Sequence, residues 1–227
     1  MEQDVTYKLP SDIERESMRI IGRELARLSA VPPPDTEAVV KRVIHTTADF
    51  DYAQNLRFTD GAVERAAAAF RAGAAVVTDT NMARAGVSRG ALSKLGGTVY
   101  CFMADPEVAR EARLRGTTRA AVCMEKAARE HPGAVLAVGN APTALLKICD
   151  LIEDGLRPAL VVGVPVGFVN VVESKRRVFE VCQEYDVPCI AAMGRKGGSN
   201  VAAAICNAIL YTALDAEDPA KRQEILK

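Results

Sequence analysis

The stretch VLAVGNAPTALL, residues 135–146, contains the pattern that decides the fold. Its first four residues are apolar without alternation, which is typical of a parallel strand that is covered on both faces. Small residues follow, from Gly139 to Ala141, and after them the pattern becomes helical. A buried strand that leads through a short turn into a helix predicts one repeat of an alternating strand and helix fold.

The same pattern recurs along most of the chain. Further short apolar runs occupy residues 74–78, 98–102, 160–164 and 189–193, and helical patterns separate them. Right-handed crossovers between such runs place the strands side by side in one sheet. We therefore predict an α/β fold with three layers: a doubly wound, mainly parallel five-stranded sheet with flanking helices and an N-terminal helical extension.

We predict a single domain over residues 1–227, which is long enough for one core of three layers. A helical extension covers about 1–58, the α/β core covers 59–214, and a charged tail covers 215–227 as a peripheral helix or partly disordered segment. In the extension, Pro32 to Pro34 separate two helices, and Asp35 is suited to cap the second.

Composition excludes several classes of protein. Lys and Arg number 29, as do Asp and Glu, and a net charge of zero argues against a nucleic-acid binder. Aromatic residues make up 5% and Trp is absent, so a base-stacking surface is not expected. None of the six cysteines forms a C-x-x-C pair, which favours reduced core thiols over a zinc site or disulfides.

The chain also lacks signals for export or membrane insertion. Residues 1–12 have neither the basic region nor the apolar region of a signal peptide, and no apolar run approaches the roughly 20 residues of a membrane span. We therefore expect a cytoplasmic protein without a membrane partner.

Three predicted strands open into turns of small residues that start helices. These turns begin at Gly139, Val164 and Gly194, and two of them contain basic residues. In doubly wound sheets, ligands bind beyond the carboxyl ends of the strands, and N–H groups at helix N-termini favour anions. The turns therefore indicate an anionic ligand, although glycines that serve only tight turns would give the same pattern.

The sequence lacks the motifs of several common enzyme classes. The turn at Gly194 lacks the spacing of a dinucleotide fingerprint, and neither a P-loop nor a G-x-S-x-G nucleophile motif occurs. The two histidines, His45 and His131, cannot supply a histidine-rich metal site, and we predict no metal site. Proton transfer by His45 remains and suits an isomerase, but taken in isolation the pattern favours a helix-end histidine without a catalytic role.

Four segments taken together resemble one known family. They are VIHTTADFDY at 43–52, GNAPTAL at 139–145, GVPVGFV at 163–169 with ESK at 173–175, and GRKGGS at 194–199. In this order and spacing they resemble the precorrin-8X methylmutases, called cobalt-precorrin-8 methylmutases in the cobalt-first pathway to cobalamin. The resemblance covers about residues 11–214, and residues 46–51 favour the cobalt pathway.

The resemblance implies an isomerase that moves the methyl group on C-11 of the corrin ring to C-12, a formal 1,5-sigmatropic shift. The product is hydrogenobyrinate, or cobyrinate where cobalt is already present. No cofactor is implied, and any cobalt belongs to the substrate. The family is a homodimer of α/β subunits with the active site near the subunit interface.

The resemblance also implies the site residues. His45 matches the catalytic histidine and would act as proton donor and acceptor. The polycarboxylate tetrapyrrole needs many donors, for which arginine and backbone amides are suited. The implied substrate-binding residues are Ser17, Ser88, Arg89, Arg119, Asn140, Lys175, Gly194, Arg195, Gly197, Gly198 and Ser199. Lys196 is a further candidate donor, whereas Arg84, Arg113 and Arg115 are expected on solvated helix faces.

Three other functions stay open at this point. A corrinoid carrier would share the pocket without turnover, and the presence of His45 argues against it. A nucleotide-dependent oxidoreductase would need the missing fingerprint. A purely structural oligomer would not explain the turns.

Overall fold

The computed structural model describes residues 9–226. Most of the stretch assessed for a signal peptide, residues 1–8, lies outside the described residues, as does the last residue of the predicted tail, Lys227. Among residues 9–226, no helix combines the length and the apolar character needed to cross a membrane.

The N-terminal segment forms the predicted helices. They are α1 (Pro10–Arg27), α2 (Glu37–Thr47) and the short α3 (Tyr52–Asn55). The N-cap of α2 is Thr36 and its side chain makes no capping hydrogen bond, so the expectation that Asp35 caps this helix is wrong. His45 lies in the last turn of α2, as predicted, and Ala48 ends the helix in the left-handed conformation at φ 53°.

The sheet contains six strands: β1 (Leu56–Phe58), β2 (Val76–Thr78), β3 (Val99–Tyr100), β4 (Val135–Val138), β5 (Leu160–Gly163) and β6 (Cys189–Ala192). Their order is β1-β6-β5-β4-β2-β3. The five strands β2 to β6 pair in parallel, which confirms the predicted sheet of mainly parallel strands.

The sixth strand corrects the predicted number. β1 pairs antiparallel with β6, with Leu56 opposite Ala192, and it comes from the segment expected to be helical up to residue 58. The sequence did not predict β1, because this strand has only three residues and directly follows a helix. Three residues are too few to show the alternation of side chains that indicates a strand.

Helices cover both faces of the sheet and make the three layers. The remaining ones are α4 (Ala62–Arg71), α5 (Asn81–Gly86), α6 (Arg89–Lys94), α7 (Pro106–Arg115), α8 (Arg119–Glu130), α9 (Pro142–Glu153), α10 (Val171–Glu184), α11 (Ser199–Ala213) and α12 (Pro219–Ile225). Within β4, Val135 and Ala137 join the apolar core on the α11 face, whereas Leu136 and Val138 join the core on the α9 face. Alternate side chains thus serve opposite cores, which is why this strand is apolar throughout.

The described part of the charged tail forms a helix. α12 begins after Asp218, whose side chain accepts hydrogen bonds from the amides of Ala220 (2.9 Å) and Lys221 (3.1 Å). Pro219 and Arg222 of this helix are buried, and Leu226 packs against the apolar core, so the tail lies on the body of the protein.

Candidate active site

The turns after β5 and β6 pack against each other at the carboxyl edge of the sheet. The amide of Gly198 donates to the carbonyl of Val164 (2.9 Å), and the amide of Gly167 donates to the carbonyl of Arg195 (3.3 Å). The structure therefore brings the turn that contains four predicted site residues, Gly194, Arg195, Gly197 and Gly198, together with the separate turn at Val164. The two turns form one surface beside the N-terminus of α11.

This contact leaves no room for a side chain at Gly197. A Cβ atom there would lie 2.1 Å from the carbonyl oxygen of Val164 and 2.8 Å from that of Pro165. The next residue, Gly198, has a φ of 140°, which disfavours any residue with a Cβ. Gly197 is thus required by the approach of the two backbones, and Gly198 is required by its own backbone conformation.

The turn after β4 holds a carboxylate of the chain itself. Asp79 follows β2, is buried, and accepts hydrogen bonds from the amides of Gly139 (2.9 Å), Asn140 (2.8 Å) and Ala141 (2.7 Å). Burial raises the pKa of Asp79, and these three hydrogen bonds oppose that rise. The amides before α9 are therefore engaged internally, which corrects the expectation that this turn offers them to an anionic ligand.

Sequence reasoning missed Asp79. The available signal was its position directly after a buried strand, between Thr78 and Thr80. The side chain of Asn140, in contrast, is exposed, and its contact with a substrate stays a prediction.

Lys175 supports the turn after β6 from within the protein. Its side chain is fully buried in α10, and Nζ donates to the carbonyl of Gly194 (2.9 Å) and to that of Lys196 (2.7 Å). Burial lowers the pKa of Lys175 to about 8. The structure thus places this lysine behind the turn, and direct contact with a substrate stays a prediction.

Lys196 joins this turn to the segment that follows His45. Its Nζ lies 2.6 Å from Oδ2 of Asp49 and 2.6 Å from Oδ2 of Asp51. Hydrogen bonds to these carboxylates raise the pKa of Lys196, and Lys196 in turn lowers the pKa of Asp49. The ammonium is therefore committed to two internal acids, which argues against its expected role as a donor to a ligand.

A second link is made by the backbone, since the amide of Met193 donates to the carbonyl of Asn55 (2.8 Å). The His45 segment and the glycine turn, which are about 150 residues apart in sequence, are thus fixed to each other. His45 itself is exposed in the last turn of α2. Partial burial and the positive charge of Arg42 lower its pKa, and Glu14 opposes this shift.

An exposed apolar loop stands beside the basic turn. Phe168 and Val169 are 83% and 77% exposed, and Val166 is 48% exposed. The guanidinium carbon of Arg195 lies 5.6 Å from the centre of the Phe168 ring, a cation–π contact. Arg195 is exposed and forms no ion pair with the described residues, so its charge is available to an anion.

Two other predicted residues lie at helix starts. Ser199 begins α11, and its Oγ is 2.7 Å from Oγ1 of Thr80. Arg119 begins α8 and is exposed; the preceding Thr118 contacts Thr143 of α9 (2.9 Å between hydroxyl oxygens). Arg119 therefore stands beside the first turn of α9, close to the carboxyl end of β4.

The structure does not bring Ser17, Ser88 or Arg89 into contact with these turns. Ser17 donates to the carbonyl of Ile13 in its own helix (2.8 Å). Ser88 caps α6, and its amide donates to Asn207 of α11 (2.7 Å), about 12 Å along that helix from Ser199. Arg89 lines a separate cavity of about 200 Å³ together with Arg84. Their roles toward a substrate stay predictions.

The surface of the two packed turns can bind an anionic molecule with an apolar face, and the segment that follows His45 is joined to this surface. Among residues 9–226, no three His, Cys, Asp or Glu side chains are grouped so as to hold a metal ion.

Comparison with known proteins identifies the family. The family model described as precorrin-8X methylmutase matches residues 12–212. The cobalt-precorrin-8 methylmutase of Salmonella typhimurium is 44% identical over 206 residues, which are 89% of this chain and 95% of that protein. The precorrin-8X methylmutase of Pseudomonas aeruginosa is 38% identical over 198 residues, covering 87% and 93% of the two chains.

A solved structure agrees with these relatives. The precorrin-8X methylmutase of Thermus thermophilus has a TM-score of 0.79 and 41% identity, and the match covers 89% of this chain and 98% of that one. The family match, the relatives and the shared fold extend over nearly the whole of the described chain. The chain therefore belongs to the precorrin-8X methylmutase family, whose members are isomerases of cobalamin biosynthesis.

Proposed function

We propose that this enzyme moves the methyl group on C-11 of precorrin-8, or of its cobalt complex, to C-12. The product would be hydrogenobyrinate or, with cobalt in the ring, cobyrinate. The observation that carries the proposal is the pair of links between the His45 segment and the glycine turn, made by Lys196 and by Met193. They hold a histidine and an anion-binding surface in one fixed arrangement, as positioning of a bound ring requires.

In this reaction the bond from C-11 to the methyl carbon breaks and the bond from C-12 to that carbon forms, while the π electrons of the ring shift. Substrate and product are isomers, so a proton that is added to the ring during the reaction must be removed again before the product leaves. We assign this proton to His45. Its lowered pKa leaves the imidazolium a somewhat stronger acid than free histidine, and the imidazole then takes the proton back.

Substrate binding would use the surface formed by the two packed turns. Arg195 is exposed beside it, and the first amides of α11 have no acceptor within the helix, as at any helix N-terminus. The ring of Phe168 offers an apolar face for the macrocycle. Arg119 would meet a further carboxylate at the start of α8.

We propose that the reaction needs no cofactor and that cobalt, where present, enters as part of the substrate. Relatives with both names, cobalt-precorrin-8 and precorrin-8X methylmutase, match this chain, and the 44% identity to the Salmonella enzyme supports the cobalt form. The residues grouped at the turns supply donors for carboxylates, which both substrates carry.

We also propose a homodimer whose interface lies near the site, in a cytoplasmic setting. The exposed Val166, Phe168 and Val169 adjoin the glycine turn and give a second copy an apolar surface. The six free cysteines suit a reducing compartment. Analytical ultracentrifugation would test the dimer, and a monomer at micromolar concentration would refute it.

An anaerobic assay with cobalt-precorrin-8 tests the reaction. We expect the visible spectrum to change while the mass of the tetrapyrrole stays the same, because an isomerisation alters conjugation and not composition. Metal-free precorrin-8X would be assayed in parallel to identify the preferred substrate. Binding of both compounds without any spectral change would refute the isomerase and favour a corrinoid carrier.

A further inference from the structure

A buried ionic cluster connects the C-terminal helix to the helix that carries His45. One carboxylate oxygen of Glu14, in α1, lies 2.6 Å from Nη1 of Arg42 in α2, and the other contacts Nη2 of Arg222 in α12. The side chains of Arg222, Arg42 and Glu14 are 9%, 15% and 20% exposed. We call these three residues the Glu14 cluster.

An aromatic ring fixes the two guanidiniums of the cluster. The guanidinium carbon of Arg222 lies 4.2 Å from the ring centre of Tyr211 in α11, and that of Arg42 lies 5.4 Å from it. With one carboxylate and two guanidiniums, the Glu14 cluster carries a net charge of +1. Because it is mostly buried, solvent and salt screen this charge less than that of an exposed pair.

His45 stands next to the cluster. It follows Arg42 by three positions in α2, and side chains at this spacing are neighbours on a helix surface. The charged groups that act on the imidazole are Arg42 of its own helix, Glu14 of α1 and Arg222 of α12. Asp49, in the connection after α2, is already paired with Lys196.

We propose that Glu14, Arg42 and Arg222 are positioning residues for His45, and that the C-terminal helix thereby takes part in setting the charge state of the histidine. The net positive charge of the cluster favours release of the imidazole proton, and the carboxylate of Glu14 limits this effect. The catalytic consequence rests on the proposed function of His45, whereas the effect on its titration does not.

Two variants change the cluster charge in opposite directions. Glu14→Gln raises it from +1 to +2 and should lower the midpoint of the His45 titration. Arg222→Gln lowers it to zero and should raise that midpoint, each by about 0.5 pH unit. The measurement is an NMR pH titration of the imidazole signals, in which His45→Gln assigns the two histidines of the chain.

Two controls separate charge from packing. Arg222→Lys keeps the charge and should leave the midpoint near that of the unmodified protein. Arg15→Gln breaks the exposed ion pair between α1 and α12, in which Arg15 lies 3.2 Å from Asp218, and should not move the midpoint. If Glu14→Gln fails to fold, Arg222→Gln and its lysine counterpart still decide the question.

Equal His45 midpoints in the unmodified protein and Arg222→Gln would overturn the proposal, as would a shift reproduced by Arg15→Gln. In the turnover assay, the pH dependence of kcat should move in the same direction as the NMR midpoint. A shift by NMR with an unchanged kcat profile would support the coupling and refute the catalytic role of His45, so the two proposals fail separately.

Discussion

The ammonium nitrogen of Lys196 lies 2.6 Å from a carboxylate oxygen of Asp49, although 147 positions separate the two residues in sequence. The contact ties the turn after the last strand to the connection that follows the His45 helix. Because the pair is about half exposed on the lysine side, solvent screens it and its contribution to the free energy of unfolding is small. The pair matters instead because it fixes the position of the turn relative to the segment that follows His45.

We therefore expect Lys196→Met to lower kcat about 10- to 100-fold while the melting temperature changes little, because a small displacement of a catalytic group is costly. Turnover and thermal unfolding would be measured on the same preparation. Arg65→Ala is the matched control, since it breaks another exposed long-range pair, with Asp186 at 2.8 Å, that does not join the His45 segment to the glycine turn. An unaltered kcat in Lys196→Met would show that the link does not position the histidine.

His45→Ala should abolish turnover and leave corrinoid binding measurable, because the substrate carboxylates are proposed to bind elsewhere. Binding is measured by visible absorbance and turnover by the anaerobic assay. The matched control is His131→Ala, which removes the other histidine, one that stacks on Tyr100 with ring centres 4.3 Å apart. Turnover near the normal rate in His45→Ala would show that His45 does not transfer the proton.

Arg119→Ala should weaken substrate binding about 10-fold through loss of a charge-assisted contact. The exposed Arg113 of α7 is the control, and Arg113→Ala should bind normally. Isothermal titration with the product cobyrinate gives both affinities without turnover. Equal affinities of the two variants would remove Arg119 from the binding surface.

Gly197→Ala should destabilise the protein by about 2 kcal/mol or more and reduce activity, because the new methyl group must push the Val164 and Pro165 carbonyls aside. Denaturant unfolding provides the free energy. Gly133→Ala is the control, since a Cβ atom there meets nothing within 4 Å. If both variants unfold at the same denaturant concentration, the two turns can move apart without loss of stability, and the prediction is wrong.

Lys175 gives the stability of the protein a dependence on alkaline pH. Its pKa falls from 10.5 in the unfolded chain to about 8 in the fold, so between these values the unfolded chain binds more protons than the folded one. The free energy of unfolding should then rise with pH across this window, by about 1 to 3 kcal/mol relative to Lys175→Met. Urea unfolding at pH 8 and pH 10 measures it, and parallel curves for the two proteins would contradict the assignment.

Much of the fold could be predicted from the sequence because buried parallel strands and amphipathic helices have strong local patterns. The five parallel strands are confirmed, although predicted bounds such as 98–102 exceed the observed Val99–Tyr100. β1 was missed because its three residues are specified by pairing with β6 and not by a local pattern.

The site was less accessible to sequence reasoning because its contacts join distant segments. The glycine turns and the position of His45 at a helix end follow from local sequence. Asp79 bonds amides about 60 residues away, and Glu14 contacts Arg222 across 208 positions. The sequence around these residues does not indicate which charged side chains pair with each other. Only the structure shows that Lys196 pairs with Asp49, where the sequence had suggested a ligand.

The antiparallel strand β1 also protects the sheet. It covers the side of β6 that faces away from β5, so the N-terminal segment that carries His45 ends by closing one border of the sheet. A fragment that started at residue 59 would leave the backbone N–H and C=O groups of β6 open to pairing with other chains. The segment that carries the histidine therefore also protects the edge of β6, and deleting the whole segment would remove both at once.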